Sequence, residues 1–239
     1  LANSYFQFKS FTVQQEFCSM KVCTEACLFG AWLADYFKGQ ELTAALDIGT
    51  GTGLLSLQLS QQVSIHELHA IELDPSASQQ ASENFMQSPW AASMQVIQGD
   101  VLSYAPAITY DLIFSNPPFF EQSLRSPDKG KNLAKHESGL ELPSFFSIAD
   151  RLLNANGWLA LLLPFQRADT MVKLAAESGL LLRKRTNVCQ TEKHTPFRSM
   201  LLYKKGLADT VFTDQLIIRQ DGEYSQEFIR LLQPYYLYL

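Results

Sequence analysis

Residues 44–57 read AALDIGTGTGLLSL, an apolar run that meets glycines at 49, 51 and 53 and then resumes with leucines at helical spacing. A strand that becomes a helix through glycine can turn tightly, and it lets a ligand approach the backbone beside the free N–H groups of the helix N-terminus. The stretch alone leaves that ligand open. A dinucleotide fingerprint would place its third glycine at position 54, which is leucine, and the Gly-Lys-Ser/Thr ending of a phosphate loop is absent.

Outward from this turn, short apolar runs alternate with helix-length segments, the pattern of a mostly parallel sheet covered on both faces. The runs are AALDIG (44–49), LHAIEL (68–73), MQVIQG (94–99), YDLIFS (110–115), WLALLL (158–163), LLLRKRTNV (180–188) and RSMLLYK (198–204), so seven strands are expected. Between them TGLLSLQLSQQ, PSASQQASENFMQ, LPSFFSIADRLLNA and RADTMVKLAAES carry apolar positions at helical spacing, with Asn156-Gly157 and Ser178-Gly179 as helix exits. The last two runs are joined by polar residues without helical periodicity, which predicts an antiparallel pair. The expected fold class is α/β: a seven-stranded, mostly parallel, Rossmann-like sheet with an antiparallel edge pair and helices on both faces. A single domain is expected over 1–239. Residues 1–43 form a lead-in with the helix TEACLFGAWLADYF, 44–206 the core, and 207–239 a further strand (VFTDQLIIR, 211–219) and a closing helix (SQEFIRLLQPYY) packed on it. Residues 119–138, polar and charged, are too long for a plain connection and read as a functional or mobile loop.

Composition narrows the class. Hydrophobic residues make up 46% and charged residues 18%, which suits a real core, and no apolar stretch reaches the roughly eighteen residues a membrane span requires. A soluble chain is expected, and no basic segment followed by an apolar one points to export. Cysteines at 18, 23, 27 and 189 are too few for a disulfide scaffold, and their C-x4-C-x3-C spacing matches no common zinc or cluster pattern. They read as buried free thiols in a reducing, cytoplasmic compartment, and no metal is expected. His66 and His69 flank the second strand without a partner cluster, and His136 and His194 fall in polar loops, so solvated or locally bonded rings are expected. The net charge of −5 argues against wholesale nucleic-acid coating, yet residues 180–206 hold seven Lys or Arg against one Glu, and Lys129, Lys131 and Lys135 form a second cluster. Such a basic segment is either a solvated face or an electrostatic footprint for phosphate.

Acidic residues close the first three strands: Asp47 just before the glycines, Glu72 at the end of the second run, and Asp100 in IQGDVL. A carboxylate at Glu72 can accept hydrogen bonds from both hydroxyls of a ribose, which nicotinamide and adenosyl cofactors share, and Asp74 competes for that role. Three such tips point to the carboxyl edge, where open sheets bind ligands. The fourth strand ends on the same edge in Asn116-Pro117-Pro118-Phe119. Proline has no N–H for a ladder and holds the residue before it extended, so this is a stiff shelf and not the start of a helix.

Together these residues resemble the class I S-adenosylmethionine-dependent methyltransferases, specifically the amino-methyltransferases with an Asn-Pro-Pro-Tyr/Phe motif. The opening FQFKSFTVQQEFCSMKVCTEACLFGAW, with F-x-F-K-x-F-x-V, M-K-V-x-T and L-x-G-A-W in order, is similar to the start of the bacterial tRNA1(Val) (adenine-37-N6)-methyltransferase family. The similarity runs on through NPPFFEQS. It implies the class I methyltransferase fold, S-adenosylmethionine as cofactor and tRNA as partner. It implies that Lys21 and Thr24 lie near the cofactor's methionine end, and that Asp47, Gly49, Gly51, Gly53, Glu72, Asp100, Val101 and Asn116 line the cofactor site. A helix start accounts equally for Thr24. Asn116, Pro117, Pro118 and Phe119 would act on the acceptor amine, with Phe119, where tyrosine is common, stacking on a planar base. Lys129, Lys131, Lys135, Arg183, Lys184, Arg185 and Arg198 are candidates for RNA phosphates. Protein glutamine methylation uses the same motif and remains an alternative, as does an RNA-binding module without chemistry.

Overall fold

The computed structural model describes residues 3–117, 142–206 and 210–239. All seven apolar runs form strands; those inside the sheet, covered by helices on both faces, retain consecutive buried residues, while Met94–Gln98 at the sheet edge has none. They are β3 (Glu41–Ile48), β4 (Ser64–Glu72), β5 (Met94–Gln98), β6 (Tyr110–Ser115), β7 (Leu153–Pro164), β8 (Leu180–Thr191) and β9 (Arg198–Lys205). Two more, β10 (Phe212–Gln220) and β11 (Glu223–Tyr224), complete a nine-stranded sheet in the order β11-β10-β8-β9-β7-β6-β3-β4-β5. A separate two-stranded ribbon, β1 (Tyr5–Gln7) with β2 (Thr12–Gln14), occupies the lead-in, where no strand was expected.

The antiparallel pair forms as expected, but inside the sheet. β9 lies between β7 and β8 and is antiparallel to both, while β10 adds to the far side of β8 in parallel. The reason is legible in β9 itself: Met200, Leu201, Leu202 and Tyr203 are consecutive and fully buried, as only an interior strand with two covered faces allows. A second difference concerns Asn156-Gly157. The helix before it ends at Leu152, and residues 154–157 instead make an irregular entry into β7, marked by a register shift against β6 between Tyr110 and Leu112. Ser178-Gly179 does end its helix, with Gly179 at φ +74°.

Helices α1 (Thr24–Phe37) and α2 (Leu54–Gln62) pack on one face of the sheet together with the β1–β2 ribbon; α3 (Pro75–Met86) borders them. Helices α4 (Leu142–Leu152) and α5 (Ala168–Glu177) cover the other face, and α6 (Gln226–Leu232) closes the chain against α1. Strand residues divide by parity: Ala45, Leu112 and Phe114 face the α1 side, and Ala44, Leu46 and Ile113 face the α4 side. Asp74 caps α3 by accepting from the Ala77 N–H at 2.8 Å, and Ser225 caps α6 by accepting from the Phe228 N–H at 3.1 Å. Cys18, Cys27 and Cys189 are buried and Cys23 is half-buried, all as free thiols; burial pushes the Cys27 thiol up to about 12. Among the described residues no helix is long and apolar enough to cross a membrane.

Strand order fixes where a ligand can bind. From β3 the chain steps outward through β4 and β5, then returns to the other side of β3 with β6 and β7. Neighbouring crossovers therefore part above the carboxyl ends of β3 and β6, and the switch leaves a crevice there.

Candidate active site

The glycine turn fills one wall of that crevice. Gly49, Gly51 and Gly53 all have positive φ, at +69°, +55° and +82°, a left-handed backbone that side chains with a Cβ rarely adopt. A Cβ on Gly49 or Gly51 would meet nothing within 4 Å, so the ground above them is open. Gly53 is different. Its Cβ would lie 2.5 Å from the Phe85 ring, so this glycine also lets α3 close against the start of α2.

Two carboxylates hold the turn. Asp47 is fully buried beneath it and accepts from the Thr50 and Ser56 hydroxyls, both at 2.7 Å. Its second oxygen, Oδ1, has no hydrogen-bond partner among the described residues, and burial pushes the carboxyl up to about 7 against the help of those hydroxyls. Asp47 therefore acts as a brace below the turn. Glu72, at the tip of β4, accepts from the Gly51 N–H at 2.8 Å and from the Asp74 N–H at 3.0 Å, one bond on each oxygen. Each oxygen keeps acceptor capacity for hydroxyls above it. Asp74, the rival candidate, caps α3 with one oxygen.

Asp100 follows β5, with Gly99 donating to the Glu72 carbonyl at 2.9 Å. Its side chain accepts from the Leu102 N–H at 2.9 Å and stays exposed, while Val101 is buried. Leu73 follows Glu72 directly, Leu102 follows Asp100 by two residues, and both are more than half exposed, at 58% and 54%. Apolar residues left in water beside strand-tip acids were a signal available in the sequence and not used.

Asn116 and Pro117 leave β6 next to the turn. The β3–β6 register pairs Asp47 with Phe114, and the Ser115 hydroxyl donates to the Ile48 carbonyl at 2.7 Å, which sets Asn116 level with Gly49. The Asn116 Nδ2 faces the Met20 sulfur at 3.8 Å, a long contact that takes up the donor end of the amide and leaves Oδ1 available. Pro118, Phe119, Lys129, Lys131, Lys135 and His136 lie outside the described residues, as does the 119–138 segment.

The lead-in reaches over this edge. Asn84 on α3 bonds both backbone groups of Gln14 and the Thr52 carbonyl, at 2.8, 2.9 and 2.8 Å, so one buried amide ties the ribbon to the glycine turn. Beyond it, Lys21 donates to the Gln15 carbonyl. Cys18 is buried, and burial with the Glu72 carboxylate nearby pushes its thiol up to about 11, partly offset by Lys21. Thr24 is exposed as the first residue of α1, whose N-cap is Cys23.

The basic segment does not make one patch. Lys184 and Arg185, adjacent on β8, project to opposite faces: Lys184 lies over the Trp32 ring with Asp214 at 3.4 Å, and Arg185 meets Asp169 at 2.5 Å beside Phe165. Arg183 sits in the register irregularity just before them. Arg198 opens β9 opposite Pro164, at the same carboxyl edge as the glycine turn, and pairs with Glu25 at 3.2 Å. Partly exposed ion pairs of this kind contribute only about 0–1 kcal/mol, so position decides which cations can serve a ligand at the crevice. Arg198 lies at that edge, and Arg185 reaches Phe165 and Asp169 just beyond the carboxyl end of β7.

His69 corrects a second expectation. Because β4 begins at Ser64, the ring falls within the strand, 7% exposed, and its nitrogens meet Glu67, Tyr104 and Tyr110. His194 is bonded locally to Thr191, as expected.

A glycine turn at the switch point with open ground above it, an acceptor at the next strand tip, a further acid with apolar flanks, and a nearby lysine suit an adenosyl nucleoside that ends in an amino acid. Fold and site together are those of a class I S-adenosylmethionine-dependent methyltransferase. Comparison with known proteins agrees. The methyltransferase small domain family matches residues 29–165. Relatives named tRNA1(Val) (adenine(37)-N6)-methyltransferase include those of Parabacteroides distasonis, 38% identical over 99% of both chains, and Enterobacter sp. strain 638, 36% identical over 98% of this chain and 95% of that one. The chain belongs to that family. Among solved structures, an N-methyltransferase of Bradyrhizobium japonicum in complex with S-adenosyl-L-homocysteine aligns with a TM-score of 0.54 at 14% identity, covering 77% of this chain and 86% of that one. A protein of Agrobacterium tumefaciens described as a predicted O-methyltransferase reaches 0.64 at 15% identity, covering 87% and 95%; both likenesses concern the fold.

Proposed function

We propose that the protein transfers a methyl group from S-adenosylmethionine to the exocyclic N6 of an adenine in tRNA, at position 37 of the anticodon loop of tRNA1(Val). The observation that carries this reading is the register that sets Asn116 level with Gly49. When bound, S-adenosylmethionine supplies a sulfonium methyl group that needs no further activation. Glu72 is assigned to the ribose hydroxyls, Asp100 with Val101 to the adenine, Lys21 with Thr24 to the methionine end, and Gly49, Gly51 and Gly53 to the backbone cradle. Asp47 contributes by bracing that cradle.

The amine of adenine is a poor nucleophile because its lone pair is delocalised into the ring. Asn116 Oδ1 and the Pro117 carbonyl accept its two N–H bonds, which draws the nitrogen toward pyramidal geometry and stabilises the positive charge that develops on it. Pro117 has a fixed φ and keeps Asn116 extended, so both acceptors are set before the base arrives. The surplus proton can pass to water, and no strong base is required. Pro118 and Phe119 are assigned to the same shelf, with Phe119 stacking on the base. An anticodon-loop adenine is unpaired, so presenting it costs little. Arg198 is the first candidate for the tRNA backbone, with Arg183, Lys184, Arg185 and the lysines at 129, 131 and 135 as further candidates. Mass spectrometry of tRNA nucleosides after incubation with the protein and S-adenosylmethionine is expected to show N6-methyladenosine in one isoacceptor. Methyl label entering protein glutamine and not RNA would overturn the substrate while keeping the reaction.

A further inference from the structure

We propose that Tyr104 is a positioning residue: its hydroxyl latches the Asp100–Tyr104 loop onto β4 through His69, and so holds Asp100 and Val101 in place for the adenine of the cofactor. This rests on the cofactor reading above.

The loop is short and internally tied, with the Ser103 N–H donating to the Asp100 carbonyl at 3.1 Å and the Tyr104 N–H to the Val101 carbonyl at 3.3 Å. Such bonds shape the loop but do not fix it to the sheet. Val101 packs in the core with Ile71 of β4, and two polar contacts add to it: Gly99 N–H to the Glu72 carbonyl at 2.9 Å, and Tyr104 Oη at 3.1 Å from His69 Nδ1. Tyr104 Oη also lies 2.7 Å from Tyr110 Oη, which lies 2.6 Å from the same Nδ1, so three groups close a triangle. The far side of the imidazole, Nε2, faces Glu67 at 2.9 Å. With Nε2–H of the neutral ring donating to the Glu67 carboxylate, Nδ1 is left as acceptor and one tyrosine donates to it, which gives the triangle a direction. Arg151 adds a donor to the Tyr104 carbonyl at 2.9 Å.

Position on β4 distinguishes this triangle from ordinary satisfaction of buried groups. His69 is three residues before Glu72 on one strand, and Tyr104 is four residues after Asp100 on the loop. The latch therefore references the adenine side of the crevice to the ribose side. Replacing Tyr104 by phenylalanine removes the loop's share of the triangle and leaves the Tyr110–His69–Glu67 row intact. Replacing Tyr110 by phenylalanine breaks a more buried bond yet leaves Tyr104 within reach of Nδ1.

The test is calorimetric binding of S-adenosylhomocysteine to wild type, Tyr104→Phe and Tyr110→Phe, with melting temperatures measured alongside. Tyr104→Phe is expected to weaken binding about fivefold, the loss of one net hydrogen bond, with the turnover rate at saturating cofactor and the KM for tRNA unchanged. Tyr110→Phe is expected to lower the melting temperature more and the affinity less. Unchanged affinity in Tyr104→Phe, or losses in both variants that simply follow melting temperature, would overturn the latch. Failure of wild type to bind S-adenosylhomocysteine would overturn the cofactor reading instead.

Discussion

The two ends of the large sheet carry the same kind of residue and use it differently. At the carboxyl end, Glu72 accepts one backbone N–H on each oxygen, and the glycines beside it leave open ground. At the amino end, Asp111 at the start of β6 accepts from Thr43 and Ala44 N–H groups at 2.6 and 3.2 Å and from the Asn154 amide, while Glu41 pairs with His66 at 2.8 Å. Asp111 is consumed in tying β3, β6 and β7 together. A carboxylate at a strand tip is thus a structural cap by default, and has room for a ligand where the topology parts the crossovers and glycine clears the space above it.

The strongest way to break this comparison is Asn116→Ala at the carboxyl end. Loss of a placed acceptor is expected to lower the methylation rate by about 10²–10³-fold, with melting temperature kept and S-adenosylhomocysteine binding changed far less than the rate. Wild-type turnover in that variant would remove the mechanism. Glu72→Ala should act on affinity: a hydrogen bond to a charged group contributes about 2 kcal/mol, so cofactor binding measured by calorimetry should weaken about thirtyfold. Asp111→Ala should do the opposite of both, lowering stability by about 1–2 kcal/mol in denaturant titration while KM and turnover stay unchanged. A kinetic defect there would erase the distinction between the two ends.

The narrowest effect, confined to one pH window, concerns Asp47, which belongs to the carboxyl end but is sealed beneath it. Its folded-state carboxyl is pushed up to about 7 by burial, above its ordinary value of 3.8, so between those values the folded protein binds a proton that the unfolded chain has lost. Stability from this group therefore falls as pH rises through that window, by about 1 kcal/mol per unit. Melting temperatures of wild type and Asp47→Asn measured from about pH 4.5 to about pH 7.5 should converge toward the acid end, with the variant's profile the flatter. Parallel profiles would show that Asp47 is ionised throughout.

Most strands and helices were legible because burial on both faces leaves unbroken apolar runs and burial on one face leaves helical spacing. The helix over TEACLFGAWLADYF starts and stops where its apolar pattern does. The β1–β2 ribbon was not legible: its three-residue strands are too short to show a period. Nor was the interior place of β9, although MLLY offered the clue of four consecutive buried residues. That Glu72, Asp100 and Asn116 share one edge could be read because strand ends in a parallel sheet do. Asn84 and Tyr104 could not, since a polar residue in a helix or loop looks alike whether it faces water or ties two elements together.

The sequence by itself determined the chemistry on offer: glycines that permit positive φ, acids at strand tips, and a proline-stiffened asparagine, all local properties of covalent structure and spacing. Tertiary structure alone decided which of these groups keep free capacity. That depends on neighbours distant in the chain, such as Thr43 reaching Asp111 or Ser56 reaching Asp47, and on strand parity, which sends the consecutive cations Lys184 and Arg185 to opposite faces of one sheet.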